Sequence, residues 1–490
     1  MSNNKFPLKK GTYSKILLEA RNEYNFYNYP EDYKNYIYAN KTKFITLLGE
    51  LSDDESVREE IISMKEYIPR PYVSDTLREL ETLEVAFKLN ISSKNNTPNI
   101  ANIDNREERK RIYYSNNYAE NLEILKRIVI LRNMVAKEEG YENWHELNTI
   151  GSMAKRMNIK PLDVLLQAYE KCKPFISNEV KLLADTIGVD ELWEYDIKYA
   201  LKVYQDKHTI KNIEKYFPHE HVIDRTMRLI AKAFSGKFIK NKEITQPWTT
   251  NIDGMYEYNY YVNDEHCGVL LFDTHKRQGK SNTIAATHQI IVRCVYSPKG
   301  ADIPTALVQT SHGEFMTLNE IIELLHELGH AMHILSSCNY NSKFSNVGYN
   351  NVPYDFIETP SQIMENYAHD PCVIKYLSTG ITYEQAKKLI DVHQQFYHVD
   401  WMNTIGQALF DTEIHTTPKG KYILGERYNK ILQATTGVKR KIDNTTLGSF
   451  THIIDYSGRY YSYVFSRMLA DQNKPYPTHT LGVAPPKPHL

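Results

Sequence analysis

The sequence predicts a mainly α-helical fold with one small β-sheet set just ahead of a helix that carries paired histidines. Three observations lead there. Helical periodicity dominates most of the readable chain. Between residues 256 and 310 the composition shifts to short runs rich in β-branched and aromatic residues. Then an apolar helical run, Ile321-Ile322-Glu323-Leu324-Leu325, leads into His326-Glu327-Leu328-Gly329-His330.

The elements follow in order. Residues 1–110 are the least readable, and Asn95-Asn96-Thr97-Pro98-Asn99 marks an exposed loop there. Residues 118–139 predict a long helix with Leu122, Leu125, Ile128, Val129, Leu131 and Val135 on its apolar positions, and Gly140 as its stop. Residues 161–183 and 191–205 carry the same period, and Pro218 opens a helix that ends near Gly236. Residues 256–262, 268–272, 288–296 and 305–310 predict four strands. Ala306-Leu-Val-Gln-Thr310 is a candidate edge strand whose unpaired amides would hold an extended peptide; an ordinary inner strand is the equal alternative. Helices resume from about residue 315 to about 470. The predicted organisation is an N-terminal helical region over 1–110, a main domain over 111–475 and a Pro-rich extended tail over 476–490.

Composition narrows the function classes. A chain of 490 residues buries one large core or two lobes. A formal net charge of −1 gives no electrostatic reason to expect a nucleic-acid partner. No apolar run approaches the ~18 residues of a membrane span. The five cysteines, Cys172, Cys267, Cys294, Cys338 and Cys372, are scattered, which fits free thiols in a reducing compartment. The cytoplasm is the expected location. The mitochondrial matrix is the alternative, because Lys5, Lys9, Lys10 and Lys15 precede the first acid, Glu19. Oligomeric state has no signal in the chain.

The H-E-x-x-H stretch carries the chemistry. Histidines four apart share one helix face about 6 Å apart along the axis, a spacing that lets two imidazoles reach one tetrahedral metal ion. Glu327 lies beside them, suited to take a proton from a metal-bound water. A catalytic zinc usually takes three protein ligands and keeps one position open. Glu358, in Asp355-Phe-Ile-Glu358-Thr-Pro-Ser-Gln362, would be the third, from a second helix packed on the first. Glu365, seven residues on, shares a face with Glu358 and is suited to orient a metal ligand. His333 is about 10 Å along the axis from His326, too far for the same ion, and reads as a lining or hydrogen-bonded core histidine. Mid-helix Gly329 costs roughly 1 kcal/mol relative to alanine, which predicts close approach of another element.

These residues resemble the thimet oligopeptidase family of zinc peptidases, through His326-Glu-Leu-Gly-His330-Ala-Met-His333 and the Asp355–Gln362 segment. Three further segments are similar: Asp273-Thr-His-Lys-Arg277-Gln-Gly279-Lys280, with His275 where tyrosine is usual; Ser152-Met-Ala-Lys-Arg156 after Gly140-Tyr-Glu-Asn-Trp144; and Tyr456-Ser-Gly458-Arg-Tyr460-Tyr461-Ser-Tyr463. The resemblance runs from about residue 110 to about 475. It implies a zincin-like helical metallopeptidase, with two lobes around a deep substrate channel and one Zn²⁺ per chain on His326, His330 and Glu358.

It also implies roles near the C-terminus. Tyr463 would stabilise an oxyanion, Tyr456 would assist, Tyr460 would contact substrate, and His452 would be the upstream catalytic histidine. The i, i+4, i+7 spacing of the tyrosines predicts one helix presenting three phenols; in a chain with 37 Tyr that spacing fits core packing equally well. The step from His452 to Tyr456 is four residues without glycine, where the family usually has five and two glycines. The N-terminal region is shorter than the family's usual channel wall. Arg277 and Lys280 read as partners of acids or, alternatively, as holders of a substrate carboxylate.

The implied activity is zinc-dependent endopeptidase action on short unstructured oligopeptides, by Glu327-assisted attack of a zinc-bound water. A catalytically silent peptide-binding protein on the same zinc scaffold, or a zinc exopeptidase, are the alternatives.

Overall fold

The computed structural model describes residues 74–92, 99–115, 117–244, 254–278, 280, 285–291, 303–336, 352–417 and 423–472. The 476–490 tail and most of the 95–99 loop lie outside the described residues.

The helices run α1 (Asp75–Ser92), α2 (Arg106–Tyr113), α3 (Ala119–Glu138), α4 (Trp144–Asn148), α5 (Met153–Arg156), α6 (Pro161–Ile187), α7 (Ile197–His208) and α8 (His219–Ala233). Five strands follow: β1 (Gly236–Lys240), β2 (Met255–Val262), β3 (Glu265–His275), β4 (Ala286–Ile291) and β5 (Thr305–His312). Then come α9 (Leu318–Ser336), α10 (Glu358–Glu365), α11 (Pro371–Leu377), α12 (Tyr383–Gln394), α13 (Tyr397–Thr416), α14 (Leu424–Thr436), α15 (His452–Asp455) and α16 (Ser462–Gln472). The predicted class, mainly helical with a small sheet before the histidine helix, is the observed one.

Particular boundaries differ for physical reasons. The helix expected over 191–205 starts only at Ile197. Before it, the buried Glu194 carboxylate accepts from Tyr114, Asn444 and the Lys441 amide, while Asp196 takes Arg106 and Arg109. These long-range bonds hold the segment in a bend. Strand β1 escapes the sequence reading because Gly-Lys-Phe-Ile-Lys carries only two apolar residues. It forms by pairing antiparallel with β2, from Gly236 opposite Val262 to Lys240 opposite Tyr258.

The sheet order is β1-β2-β3-β5-β4. The only parallel pair among the described strands is β3 with β5. This corrects the edge-strand expectation. Residues 305–310 belong to β5, which lies between β3 and β4, and β4 is the edge. A hydrophobic run such as Thr-Ala-Leu-Val is the composition of a strand covered on both sides.

Helix α9 packs against this sheet. Ile321, Leu324, Leu325, Leu328, Met332, Ile334 and Leu335 are all fully buried and share a core with Leu270, Phe272, Ala306 and Val308. A second core joins Leu80 and Phe87 of α1 to Leu125, Ile128 and Leu131 of α3 and to Phe410, Leu432 and Ile453. Packing is therefore continuous across residue 110. A third, with Val164, Met402, Tyr460, Tyr461 and Phe465, backs the C-terminal tyrosines. No helix among the described residues is long and apolar enough to cross a membrane.

Candidate metal centre

Helix α9 presents His326 and His330 one turn apart, with ring centroids 4.9 Å apart at 83°. Helix α10 packs against it and starts with Glu358. Glu358 Oε2 lies 3.2 Å from Nε2 of His326 and 3.2 Å from Nε2 of His330, and the three donor atoms all lie within 4.8 Å of one another. Around a tetrahedral zinc with bonds of about 2.1 Å, neighbouring donors sit about 3.4 Å apart. The donor set and its spacing fit that ion.

The close approach comes from Gly329. A Cβ there would lie 2.5 Å from the Ser361 Cα and 2.7 Å from the Pro360 oxygen, so glycine is what lets α10 reach the histidine face. Ser361 in turn donates to Glu358 Oε2 at 3.1 Å and to the Glu358 carbonyl at 2.8 Å.

Glu365 does not join the cluster. Its Oε1 lies 2.6 Å from His326 Nδ1, while Oε2 takes Arg467 at 3.0 Å. A proton on Nδ1 shared with Glu365 leaves the Nε2 lone pair facing Glu358 and His330, the outer partner expected of a metal-bound histidine. Burial opposes the charged form of His326, but Glu358 and Glu365 override it and push its imidazolium up to about 10. Burial likewise opposes the charged Glu358, and the His326 and His330 rings outweigh it to hold the carboxyl well below the usual range. The cluster thus gathers positive charge, as proton or as metal. His333 stands apart, its ring edge-on to Phe356 at 6.2 Å, and burial lowers it to about 4.

Glu327 is 6 % exposed, and its Oε2 accepts from the Thr287 hydroxyl at 2.8 Å. The same hydroxyl lies 2.8 Å from the Glu327 carbonyl. Thr287 sits on β4, so the sheet edge is tied to the acid beside the histidines. Nothing in the sequence singles out Thr287, one residue outside the predicted strand. A cleft of about 260 Å³ opens at His326 and Glu365, lined also by Asn319, Ile322, Glu323 and His393.

The tyrosines converge, but not on one helix. Residues 456–461 form turns between α15 and α16, and only Tyr463 is helical. Gly458 holds φ at +71°, a conformation that breaks a helix. The buried Asp411 carboxylate captures the Gly458 amide at 2.9 Å and the Tyr460 amide at 3.1 Å. The rings still cluster: Tyr463 lies 5.1 Å from both Tyr456 and Tyr460, and His452 lies 5.5, 5.7 and 6.1 Å from Tyr456, Tyr460 and Tyr463. Burial, then Tyr456, raises the Tyr463 phenol far above its ordinary value, and the Glu358 charge adds to the effect. Burial lowers His452. Tyr460 is 8 % exposed and donates to Gln407 at 3.2 Å. The segment before Tyr456 is pinned: buried Arg132 donates to the carbonyls of Ile453 and Ile454 at 2.9 and 3.2 Å and pairs with Glu84 at 2.8 Å.

The model of peptidase family M3 matches residues 100–473, about three quarters of the chain. The chain belongs to peptidase family M3. Among relatives of this M3 chain, saccharolysin of Saccharomyces cerevisiae is 24% identical over 494 residues, covering 90% of this chain and 66% of that protein. Oligopeptidase A of Haemophilus influenzae is 26% identical, over 72% of this chain and 54% of its own. Mitochondrial intermediate peptidase of Schizosaccharomyces pombe is 24% identical, over 76% and 56%. The M3 chain therefore spans about half to two thirds of the length of these relatives. Among solved structures, PZ peptidase A with an inhibitor superimposes with a TM-score of 0.58 at 14% identity, over 90% of this chain and 75% of that one. A chain described as oligoendopeptidase F gives 0.57 at 15%, over 94% and 79%. These two likenesses show the fold.

The remaining motif segments of the M3 chain serve as scaffold. Asp355 accepts the Met153 and Ala154 amides at 2.7 and 3.0 Å, capping α5, and the Tyr461 hydroxyl at 3.1 Å, while its carbonyl takes Ser466 at 2.7 Å. Arg277 pairs with Asp273, and Lys280 donates to the same carboxylate at 2.9 Å. Both cations are thus partners of an acid, the first of the two readings.

Proposed function

We propose that this protein is a zinc-dependent endopeptidase that cuts internal bonds of short, unstructured oligopeptides. The observation that carries the reading is the convergence of His326, His330 and Glu358, with Glu327 beside them and tied by Thr287 to the sheet edge. The names of the family M3 relatives, oligopeptidases and an intermediate peptidase, support the substrate class. The free thiols of Cys172 and Cys372 fit the cytoplasm, with the mitochondrial matrix as the other reducing setting.

Zinc held by His326, His330 and Glu358 would lower the pKa of a water to about 7 and polarise a carbonyl. An extended peptide adds to the outer edge of β4 through backbone hydrogen bonds, which sets its scissile bond beside Glu327. Glu327 takes a proton from the water as its oxygen attacks the carbonyl carbon. It then delivers that proton to the leaving nitrogen as the C–N bond breaks. Tyr463, kept protonated by its burial, donates to the oxyanion. Tyr456 supports Tyr463, and His452 packs against both rings. Tyr460 holds the cluster through Gln407.

A quenched fluorescent peptide series tests this, with cleavage sites read by mass spectrometry. Internal cuts are expected, and Glu327→Gln is expected to lower kcat by roughly 10²-fold or more while zinc content stays unchanged. Cleavage that survives this substitution removes the mechanism, and release of single end residues removes the endopeptidase reading.

A further inference from the structure

A second cluster of metal-type donors lies at the start of α8. His219 and Glu220 are its first two residues, and His275 ends β3. His219 Nδ1 lies 3.1 Å from His275 Nε2, and Glu220 Oε1 lies 3.0 Å from the same nitrogen. All three donor atoms fall within 4.8 Å of one another, as at the first centre. The Tyr256 hydroxyl also donates to Glu220.

His275 Nε2 is the nitrogen that faces both other donors. His275 Nδ1 lies 3.1 Å from the Gly254 carbonyl, which only accepts, so that nitrogen carries the hydrogen. In the neutral ring Nε2 is then a lone pair, facing a carboxylate oxygen. His219 is 2 % exposed, and its buried Nε2 has no hydrogen-bond partner among the described residues. The two distances from His275 Nε2 to the other donors, 3.1 and 3.0 Å, are close to the edge of a tetrahedral zinc site, about 3.4 Å, and all three atoms lie within 4.8 Å. A ring whose far nitrogen donates to a backbone carbonyl is the usual arrangement of a metal-bound histidine. His312 adds a nearby nitrogen donor. Its ring lies 6.0 Å from that of His219, and its Nδ1 lies 3.7 Å from Glu320 Oε1.

We propose that His219, Glu220 and His275 form a second zinc site, which pins the start of α8 to the end of β3 and takes no part in hydrolysis. Imidazole nitrogen and carboxylate oxygen are both ordinary zinc ligands. The competing arrangement is a single proton on His275 Nε2 shared between Glu220 and His219.

The full chain, stripped with a chelator and re-equilibrated with Zn²⁺ alone, distinguishes the two. Two zinc per wild-type chain are expected, and one in the His326→Ala/His330→Ala protein. Glu220 is 60 % exposed, so Glu220→Gln leaves packing intact. In that variant the second equivalent is expected to bind at least tenfold more weakly, with peptide cleavage retained. Zn²⁺ should also raise the Tm of the His326→Ala/His330→Ala protein, and adding His275→Tyr or Glu220→Gln should abolish the rise. One zinc per wild-type chain overturns the proposal, as does a Tm rise that ignores both substitutions. Loss of zinc from the first site without loss of cleavage would instead count against the hydrolytic reading alone.

Discussion

Gly329 faces Ser361 so closely that a Cβ on residue 329 would lie 2.5 Å from the Ser361 Cα and 2.9 Å from its amide nitrogen. Both neighbours are backbone, so neither swings aside. Gly329→Ala would gain roughly 1 kcal/mol of helix propensity, but overpacking costs about 1–3 kcal/mol, and the strain acts on the α9–α10 contact that brings Glu358 to the histidines. The expected outcome is a lower Tm together with weaker zinc retention under chelator competition. A folded, fully zinc-loaded variant would contradict it.

Glu365 holds His326 through Nδ1 and is itself held by Arg467. Glu365→Gln keeps the shape and removes the charge. Zinc affinity should fall by about 10–100-fold, the usual cost of losing such a partner. Titration against a competing chromogenic chelator measures this directly, and an unchanged affinity would dismiss the orienting role.

Tyr463 and Tyr460 should separate in kinetics. Removing an oxyanion donor costs about 10²–10³ in kcat, so Tyr463→Phe should lose that much with KM and zinc content little changed. Tyr460→Phe gives up only its bond to Gln407 and should cost far less. Equal losses in the two variants would refute the assignment.

Asp411 organises the turn that carries these rings, through the Gly458 and Tyr460 amides and the His415 Nδ1 at 2.9 Å. Asp411→Asn turns an NH₂ toward groups that need an acceptor, at a cost of about 1–3 kcal/mol. Reduced Tm and reduced kcat are expected at full zinc occupancy, and metal loss would point to a different role.

His369 gives a pH signature. Burial, with Arg467 next, lowers it from 6.5 to about 4. The unfolded chain therefore binds this proton more readily than the folded one. Stability from this group is complete above about pH 6.5 and drains away as pH falls through about 4. Compared with wild type, His369→Gln should show a flatter loss of Tm between pH 7 and pH 4. Parallel curves would show that His369 carries no linkage.

What could be read from the chain was whatever local spacing dictates. His326 and His330 must be four apart to share an ion, Gly329 between them implied a close neighbour, and Glu365 fell on the face of Glu358; each has its geometric counterpart in the structure. The illegible parts depend on partners far along the chain. Thr287 reaches Glu327 only because β4 is the sheet edge. The tyrosines' helical spacing misled, because Asp411 and the positive φ of Gly458 impose a turn on residues 456–461. Arg132 gives no local sign that it will anchor Ile453 and Ile454.

Asp355 links residues 202 positions before it to residues 106 positions after it. During synthesis both imidazoles and Glu358 leave the ribosome long before Tyr461 does. The Asp355 carboxylate therefore receives its Tyr461 partner only after both imidazoles and Glu358 have been made.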